Sequence, residues 1–374
     1  MQHELQVLII GGGLAGLTAA LHLHKSGLEV TLIEKNDFPS HKVCGEYISN
    51  EVLPYLKWLD VDVKTLNPNL ISQMQLTTVN GKNIEAKLPL GGFGISRYEL
   101  DYFLSQHLIK RGINIVKDTV TTIEFNDNKF IVRTLLNREF KAHQVIGAYG
   151  KRSTIDVKLN REFIQKKSPF LAVKGHYRGD FQKDLVAIHN FNGGYCGVSK
   201  IENDKLNVCY LADYASFQKH KNIKVYQEQV LYQNKNLEKI FEECTPLFEE
   251  PLVISQLSFE EKTSVENHVL MVGDSAGLIH PLCGNGMAMA IHSAKIASEL
   301  IINYQRNIIT SRAVLENTYA KLWNQEFKTR LKMGRILSSL LRKEKLSNVV
   351  LSSLTHLPFL LRKIIQHTHG SPIK

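Results

Sequence analysis

Apolar and polar positions divide the chain into two kinds of segment, and the first kind predicts a parallel α/β unit. Apolar runs at residues 5–10 and 29–33 flank a stretch with apolar residues at helical spacing. This order is typical of a strand, a helix and a second, parallel strand. Further elements with the same patterns extend the unit, namely a helix over 98–111, strands over 113–118, 120–125, 129–135, 143–148 and 268–272, and a helix over 287–301.

The second kind of segment alternates apolar and polar residues, which predicts an antiparallel sheet. It begins with a hairpin that turns at Asn80-Gly81 and returns over 165–258, interrupted by a helix near 222–241. We therefore predict an α/β fold in which a Rossmann-like nucleotide-binding domain is interleaved with an antiparallel-sheet α+β domain and followed by C-terminal helices. The predicted boundaries are 1–70, 97–160 and 260–310 for the nucleotide domain, 71–96 and 161–259 for the second domain, and 311–374 for the basic helical region.

Residues 7–16, at the end of the first strand, contain the G-x-G-x-x-G spacing in Gly11, Gly13 and Gly16. Gly11 makes the tight turn, Gly13 lets the backbone approach a pyrophosphate, and Gly16 lets the helix pack against its strand. Glu34 ends the second strand, where an acidic side chain hydrogen-bonds a ribose hydroxyl. The order of strand, turn and helix therefore predicts a dinucleotide on the N-terminus of the first helix.

A second motif, Val272-Gly-Asp-Ser-Ala-Gly-Leu-Ile-His-Pro-Leu-Cys-Gly-Asn-Gly286, lies late in the chain. It resembles the distal flavin-binding motif of the flavoprotein monooxygenase and geranylgeranyl reductase superfamily. In that family the aspartate contacts the ribityl chain and the Pro-x-x-Gly-x-Gly turn lies along the isoalloxazine ring. The last glycines here open a helix whose free N–H groups and dipole can stabilise negative charge on a reduced flavin. Because two distant motifs must meet on one ligand, the predicted cofactor is FAD.

A third motif, Pro39-Ser-His-Lys-Val-Cys-Gly-Glu46, is similar to the Pro-x-x-Lys-x-Cys-Gly signature of geranylgeranyl reductase-like flavoproteins. In that family the cysteine lies near the flavin on the substrate side, so Cys44 is the candidate catalytic residue. Its alternative interpretation is a small buried hydrophobic side chain. Arg97 and Asp101 match the arginine-bearing helix that contacts the FAD phosphates, and residues 145–153 resemble the Gly-Ala-Asp-Gly-x-x-Ser turn. The chain thus resembles the geranylgeranyl reductase-like branch of the para-hydroxybenzoate hydroxylase superfamily.

The resemblance implies a set of site residues drawn from distant parts of the chain. Tyr195 and Lys200 are the candidate substrate contacts. The candidate cofactor-binding residues are Gly11, Gly13, Leu14, Ala15, Gly16, Glu34, Lys35, Lys42, Cys44, Gly45, Arg97, Gly150, Gly273, Asp274, Pro281, Gly284, Asn285, Gly286 and Met287.

Two activities fit this set. In the first, which we predict, the reduced flavin delivers hydride to a carbon–carbon double bond of a lipophilic molecule, and Cys44 or a nearby water supplies the proton. In the second, a monooxygenase hydroxylates an aromatic or polyketide-type substrate. The cysteine loop and the basic tail favour the reductase. Gly197 and Ser199, which replace the Trp and Phe of the aromatic motif in prenyl reductases, favour the monooxygenase.

The electron donor stays open, because Tyr149 replaces the aspartate that the superfamily uses for FAD and for transient nicotinamide binding. NAD(P)H visiting the same cleft and a reducing partner protein are the two alternatives. A protein that binds FAD without catalysis is a remote third reading. The Trp-x-Trp-x-Ile-Pro motif of flavin-dependent halogenases is missing from the sequence, which argues against halogenation.

A hydrolase is the competing class, since Gly273-Asp-Ser-Ala-Gly277 fits the nucleophile elbow G-x-S-x-G. Such an enzyme needs an acid and then a histidine after Ser275, and the interpretation leaves the early glycines and Glu34 without a role. We therefore expect Ser275 to serve the flavin motif.

Composition sets the remaining bounds. A chain of 374 residues, 43% hydrophobic and 22% charged, is typical of a two-domain globular protein, and no apolar run is long enough for a transmembrane helix. The five cysteines are odd in number and widely spaced, which fits a reducing cytoplasm. Ligand-spaced Cys and His residues are lacking in the sequence, so we expect no metal site.

The charge is concentrated in residues 328–374, which carry net +9 of the chain's +10. Apolar residues at helical spacing lie among these charges, and residues 359–365 form a second apolar and basic piece. Such helices can lie peripherally on an anionic membrane, or they can pack their apolar stripe on the protein. Nucleic acid is not expected, because no aromatic residues are interleaved with the basic ones. The apolar positions of the first piece are Met333, Leu337, Leu340 and Leu341.

Overall fold

The computed structural model describes residues 4–166, 168–280, 284–341 and 370–373, and two sheets share them. The helices are α1 (Leu14–Lys25), α2 (Leu53–Trp58), α3 (Arg97–Lys110), α4 (Thr154–Lys158), α5 (Tyr214–Gln218), α6 (Ile223–Gln229), α7 (Lys235–Glu243), α8 (Gly286–Gln305) and α9 (Arg312–Leu341). The strands are β1 (Leu5–Ile10), β2 (Val30–Glu34), β3 (Tyr47–Ser49), β4 (Asn69–Thr77), β5 (Asn83–Gly94), β6 (Asn114–Lys117), β7 (Val120–Asn126), β8 (Lys129–Thr134), β9 (Glu139–Gly147), β10 (Phe170–Arg178), β11 (Leu185–Phe191), β12 (Gly194–Lys200), β13 (Leu206–Asp213), β14 (Thr245–Pro246), β15 (Leu252–Ser255), β16 (Val265–Glu266) and β17 (Val269–Met271).

The first sheet has the parallel core that the apolar runs predict. β1 lies between β2 and β9, and β6 and β17 extend the parallel pairing on either side. Val7, Leu8 and Ile9 have no exposed surface, as expected where helices cover both faces of a parallel sheet. β7 and β8 form the hairpin at Asp127-Asn128, where both residues have positive φ, the conformation of a type I′ turn.

The second sheet has the order β14-β10-β13-β12-β11-β4-β5-β3, with β15 also pairing with β10. Its pairs are antiparallel except that β11 runs parallel to β4, so the purely antiparallel expectation is wrong at this pair. The chain leaves β5 for the first sheet and returns only at β10, and a connection of that length allows a parallel neighbour. One face of this sheet packs on α6 and α7 in a separate apolar core.

The structure refines three local expectations. The helix predicted near 222–241 is two helices, because buried Asn234 leaves the helical path to donate to Thr78 and Asn190 and then caps α7. The Asn80-Gly81 hairpin is confirmed between β4 and β5, but only Gly81 has positive φ, so the turn is not type I′. β3 lies within residues 1–70 yet pairs with β5 of the second sheet.

The described part of α9 packs an apolar stripe on the rest of the protein. Arg335 of the same helix pairs with Glu261 at 2.6 Å. Packing of α9 on the protein is therefore seen as far as Arg335. The side chains of Leu337, Leu340 and Leu341 and residues 359–365 lie outside what the structure describes, so the choice between membrane contact and packing stays a prediction there. In the described part of the chain, no helix is long and apolar enough to cross a membrane. The buried stripe consists of Leu315, Tyr319, Trp323, Phe327 and Leu331.

Residues 370–373 return to the body of the protein at Glu51. The Ile373 N–H donates to the Glu51 carbonyl at 2.8 Å, and the Ile373 side chain is buried in the main core. A Cβ on Gly370 would come within 2.2 Å of the Glu51 carboxylate, so any other residue there would displace the ends of the Glu51 and Arg330 side chains. Burial raises the pKa of the Glu51 carboxyl, although the Arg330 guanidinium, the Gly370 N–H and the Asn285 amide oppose the shift.

We predict that Glu51→Gln raises the free energy of unfolding near pH 8 by about 1 kcal/mol. A raised pKa means that the folded state favours the protonated acid, so its stabilising effect is present at low pH and is lost as pH rises. The glutamine keeps the neutral form at every pH. Urea unfolding of both proteins at pH 5 and pH 8 tests this, since the difference should shrink at pH 5. A variant less stable than the wild type at pH 8 would contradict it and make the Arg330 pair dominant.

Candidate active site

The early and late glycine motifs meet where α1 and α8 pack together. A Cβ built on Gly273 would lie 3.2 Å from the Cβ of Ala15 in α1 and 3.3 Å from that of Ala290 in α8. Gly273 has φ +59°, and its N–H donates to Ser293 Oγ at 2.8 Å. The two motifs therefore border one groove, as a shared ligand requires.

The first turn has the packing that the glycine spacing predicts. Gly11 has φ +110°, and a Cβ on Gly16 would lie 1.9 Å from the Gly11 carbonyl oxygen. These two glycines are needed by the protein itself. At Gly13, in contrast, the nearest atom to a Cβ is the Arg97 guanidinium at 3.5 Å, so this position is open toward the groove and toward a pyrophosphate.

Two helix N-termini in this groove lack a side-chain cap among the described residues. They are those of α1, which begins after Gly13, and α8, which begins after Asn285. Side chains cap α3 to α7. Uncapped N–H groups and the positive end of a helix dipole suit an anion. The arrangement fits a ligand with a phosphate group at α1 and an electron-accepting ring at α8.

Glu34 lies at the end of β2, directly beside the first turn. Its carboxylate accepts hydrogen bonds from the Gly12 N–H at 2.6 Å and from the Asn36 N–H at 2.9 Å. The side chain is therefore held at the position where an acid binds a ribose hydroxyl. Lys35, the next residue, is exposed.

Arg97 extends from the first turn of α3 toward the groove. Its guanidinium forms a two-bond fork with the buried Asp101 carboxylate, at 2.8 and 2.7 Å, and Lys42 Nζ reaches the same carboxylate at 2.8 Å. Burial alone would lower the pKa of Arg97, but the negative charge of Asp101, with smaller effects from Cys44 and Asp274, raises it. Arg97 is therefore a permanent cation among residues from all three sequence motifs.

The turn after β9 completes the groove. The Gly150 N–H donates to Ser275 Oγ at 2.8 Å, which joins this turn to the late motif. Ser275 has no exposed surface and its hydroxyl is bound to Gly150, which argues against a nucleophilic role and against the hydrolase interpretation. Tyr149, which replaces the expected aspartate, packs inside and its hydroxyl contacts Met271 Sδ at 3.2 Å.

The Cys44 loop lies between the groove and the second sheet. Asn207 Nδ2 of β13 donates to the carbonyls of Cys44 and Gly45, at 3.3 and 2.9 Å. Lys151 Nζ donates to the Val43 carbonyl at 2.8 Å. These hydrogen bonds fix the backbone around Cys44. The Cys44 side chain is a free thiol and only half-buried, so it keeps access to its surroundings.

Glu46 is a site residue that the sequence did not single out. It has φ +53° and no exposed surface. Its carboxylate accepts the Arg97 N–H at 2.8 Å, the Lys174 ammonium, and a bond of 2.7 Å with His176 Nε2. Burial alone would raise the pKa of Glu46, but His176 and Lys174 outweigh it and lower the pKa. Glu46 was visible in the sequence beside the Cys-Gly pair, whereas its partners Lys174 and His176 lie 128 and 130 positions away.

The two candidate substrate residues, Tyr195 and Lys200, lie on opposite faces of β12. Tyr195 lies on the sheet face that contacts the first domain, in an apolar cluster with Phe170, Leu211 and Leu278. The structure does not bring Lys200 to that face. Lys200 follows Tyr195 at an odd offset along β12, and residues at an odd offset point to opposite faces of a strand. Lys200 instead pairs with Asp204 at 2.7 Å.

The remaining predicted residues divide by position. Leu14, Asn285 and Met287 are buried around the two helix N-termini, and Asp274 is half-exposed. A Cβ on Gly284, which has φ +61°, would lie 3.4 Å from Tyr47. Pro281 and Cys283 lie outside the described residues.

Comparison with known proteins identifies the group that this groove holds. A family model described as FAD binding domain matches residues 4–307. The chain belongs to this FAD-binding family. The cofactor is FAD, and the protein is an FAD-dependent oxidoreductase, as the sequence predicted. Open space at Gly13, the two uncapped helices and the fixed Glu34 carboxylate fit FAD.

Similar proteins include a reductase of the predicted branch as well as a flavin-dependent halogenase. Digeranylgeranylglycerophospholipid reductase of Methanosarcina acetivorans is 27% identical over 87% of this chain and 82% of its own length. The structure of a geranylgeranyl bacteriochlorophyll reductase-like protein from Thermoplasma acidophilum has a TM-score of 0.74, with 20% identity over 94% of this chain and 91% of that one. A flavin-dependent brominase has a TM-score of 0.82, with 16% identity over 100% and 95%. At these identities the structures show the fold, which confirms the predicted fold class.

We predict that Gly13→Ala weakens FAD binding at least tenfold and leaves the fold intact. Its Cβ makes only an ordinary contact within the protein, yet it occupies the space through which the pyrophosphate approaches the backbone. Fluorescence titration of the deflavinated protein with FAD measures the affinity. The melting temperature of the FAD-free variant, expected within a few degrees of wild type, is the control. Unchanged affinity would place the pyrophosphate elsewhere.

Proposed function

We propose that the protein reduces a carbon–carbon double bond of a lipophilic small molecule. The supporting observation is the apolar face of the second sheet beside the Cys44 loop, where Val43 packs on the cluster that holds Tyr195. An apolar wall with one thiol next to it suits a hydrocarbon chain better than a polar substrate. The cluster consists of Phe170, Ala172, Tyr195, Leu211, Leu257, Phe259 and Leu278.

Bound and reduced, FAD supplies the hydride for one carbon of the double bond. The chain has to bind the alkene against the ring, exclude bulk water and deliver a proton to the second carbon. Cys44, or a water molecule held beside it, is the proton source that we assign. The apolar cluster orients the alkene, and the uncapped N-terminus of α8 stabilises negative charge at the ring.

His280 is the polar residue within this apolar surrounding. It lies 4.7 Å from the Phe259 ring and 5.6 Å from the Tyr195 ring, measured between centroids. Burial lowers the pKa of His280 to about 3, so the imidazole is neutral at physiological pH and adds no charge to the wall. This neutrality supports a lipophilic substrate.

The reductase name of the relative from Methanosarcina acetivorans, at 27% identity, supports this direction of chemistry. It leaves the size of the substrate open. Because the sequence holds a single G-x-G-x-x-G motif, we propose that the reductant is either NAD(P)H visiting the same groove or a separate reducing protein; Tyr149, in place of the expected aspartate, leaves the choice between them open.

Hydroxylation of an aromatic or polyketide-type molecule is the second candidate, and the observation that favours it is Gly197. This residue lies on the same face as Tyr195, and the nearest atom to a Cβ built there is the Cys209 carbonyl at 3.7 Å. The face is therefore open at Gly197. By the resemblance to prenyl reductases, this position corresponds to an aromatic side chain in those proteins. A ring-shaped substrate would fit such a gap.

Oxygen dependence separates the two candidates. We expect the photoreduced enzyme to convert isoprenoid alkenes in the absence of O2, with consumption of one flavin equivalent per double bond. The measurement is mass spectrometry of products formed anaerobically and aerobically. Product that appears only with O2, and that carries an added oxygen atom, would replace the reductase by the monooxygenase. No turnover in either condition would favour a protein that only binds FAD.

We predict that Cys44→Ala keeps FAD but loses turnover by about a hundredfold or more, the usual contribution of a positioned proton donor. Single-turnover flavin oxidation by the substrate gives the rate. Cys244→Ala, which removes a buried thiol on the opposite face of the second sheet, is the control and should keep its rate. Full activity in Cys44→Ala would assign the proton to water.

A further inference from the structure

A cluster of buried polar side chains in the second sheet, which we call the polar cradle, contacts the Cys44 loop. It consists of Lys174 and His176 of β10 and Asn207 of β13, all with 2% or less of their surface exposed. His176 and Asn207 are direct cross-strand partners, and Lys174 is two residues from His176. The three side chains therefore share one face of the sheet.

Each member of this polar cradle binds the loop. Lys174 Nζ donates to the Lys42 carbonyl at 3.1 Å and to the Glu46 carboxylate. His176 Nε2 lies 2.7 Å from the other carboxylate oxygen of Glu46. Asn207 holds the carbonyls of Cys44 and Gly45. The loop is thus fixed on both sides of the Cys44 thiol.

Glu46 connects the polar cradle to the cofactor groove. Its carboxylate accepts the N–H of Arg97, and its carbonyl accepts the Ile95 N–H at 3.1 Å. It does so with φ +53°, a conformation that a residue with a side chain rarely adopts and that the surroundings must stabilise. The same residue therefore joins the loop, the N-terminus of α3 and the second sheet.

Packing alone does not explain this arrangement. A buried pair of charges is seldom more stabilising than apolar side chains of the same size, because desolvation offsets the attraction. Hydrogen bonds differ from apolar contacts in fixing direction. The His41 ring, stacked on Tyr98 at 4.5 Å and 4.7 Å from the Phe248 ring, covers His176. The buried polar groups of the polar cradle therefore fix the orientation of one short loop.

We propose that Glu46, Lys174, His176 and Asn207 are positioning residues that orient the Cys44 thiol toward the flavin groove. The proposal deepens the proposed function, since it rests on Cys44 facing the cofactor. None of the four needs to touch the substrate. Removal of one loop contact turns the thiol outward and increases its access to solvent, while the glycines that bind FAD stay in place.

Alkylation of Cys44 by iodoacetamide tests the orientation without any substrate. Asn207→Ala is the main variant, because it removes two loop contacts and no charge. We expect alkylation to accelerate roughly fivefold to tenfold, as for a loop that loses one or two hydrogen bonds. The rate is read by mass spectrometry on the peptide that contains Cys44, in the holoenzyme and after FAD removal.

Asn234→Ala is the matched control. Asn234 is also fully buried and also donates its amide to two backbone carbonyls, those of Thr78 and Asn190, away from the Cys44 loop. It should lower the melting temperature and leave the Cys44 alkylation rate within twofold of wild type. Equal rates in Asn207→Ala and wild type would overturn the proposal, and so would an equal acceleration in both variants, which would indicate general loosening.

Glu46→Gln provides a second, independent variant. Because it leaves Lys174 without its counterion, its rate is compared only at temperatures where circular dichroism shows the native fold, and at the alkaline plateau of the alkylation rate. Acceleration there supports the proposal, and an unchanged rate opposes it. Retention of FAD in both variants, measured by fluorescence, shows that the groove is intact.

The same data separate this inference from the proposed function. If Cys44 faces the flavin, FAD should slow its alkylation in the wild type. Absence of protection by FAD would remove Cys44 from the reaction, whatever the variants do. Protection in the wild type together with unchanged variant rates would keep the proposed function and discard the positioning role.

Discussion

The approach of Gly273 to Ala15, where α1 and α8 pack together, is the constraint on which the rest of the molecule depends. At 3.2 Å from a built Cβ to Ala15, no side chain fits at Gly273 without shifting one of the two helices. The approach brings both uncapped helix N-termini to one groove, so a single extended ligand can use both. This convergence is the geometric reason why the groove fits FAD, since either helix alone would hold only an anion, and the family match independently assigns that cofactor.

The local geometry of this half of the groove was predictable from the sequence because its determinants are local, whereas its contacts with FAD stay a prediction. Gly11, Gly16 and Glu34 act within one strand–helix–strand unit, where spacing along the chain fixes position in space. The apolar runs of β1 and β2 are long enough to identify a buried parallel sheet. The late motif is equally local, and only its meeting with the first needed the structure. Residues with a role set by short spacing were therefore named in advance.

The other half depended on pairing between strands that are distant in sequence. Glu46 was seen as part of the cysteine motif, but Lys174, His176 and Asn207 have no spacing that connects them to it. Their contact follows from the register of β10 and β13, which alternation alone does not fix. Lys200 was grouped with Tyr195 because of the aromatic motif that both positions match, although alternation along β12 places them on opposite faces. The parallel pairing of β11 with β4 was missed because the sequence does not show which distant strands are neighbours.

The two sheets thus contribute by different physical means. The first sheet presents backbone groups, glycines and uncapped helix ends to the groove, and these would hold FAD without contributing a preference for a substrate. The second sheet supplies an apolar wall and the buried polar groups under the Cys44 loop, and its open position at Gly197 shapes what lies against that wall. The Cys44 loop contacts both sheets. A substitution in the second sheet would therefore change substrate binding next to the loop while the cofactor groove stays in place. Under the proposed function, substrate preference would therefore be set by Tyr195 and by the space at Gly197, whereas Gly11 and Gly16 are fixed by contacts within the protein itself.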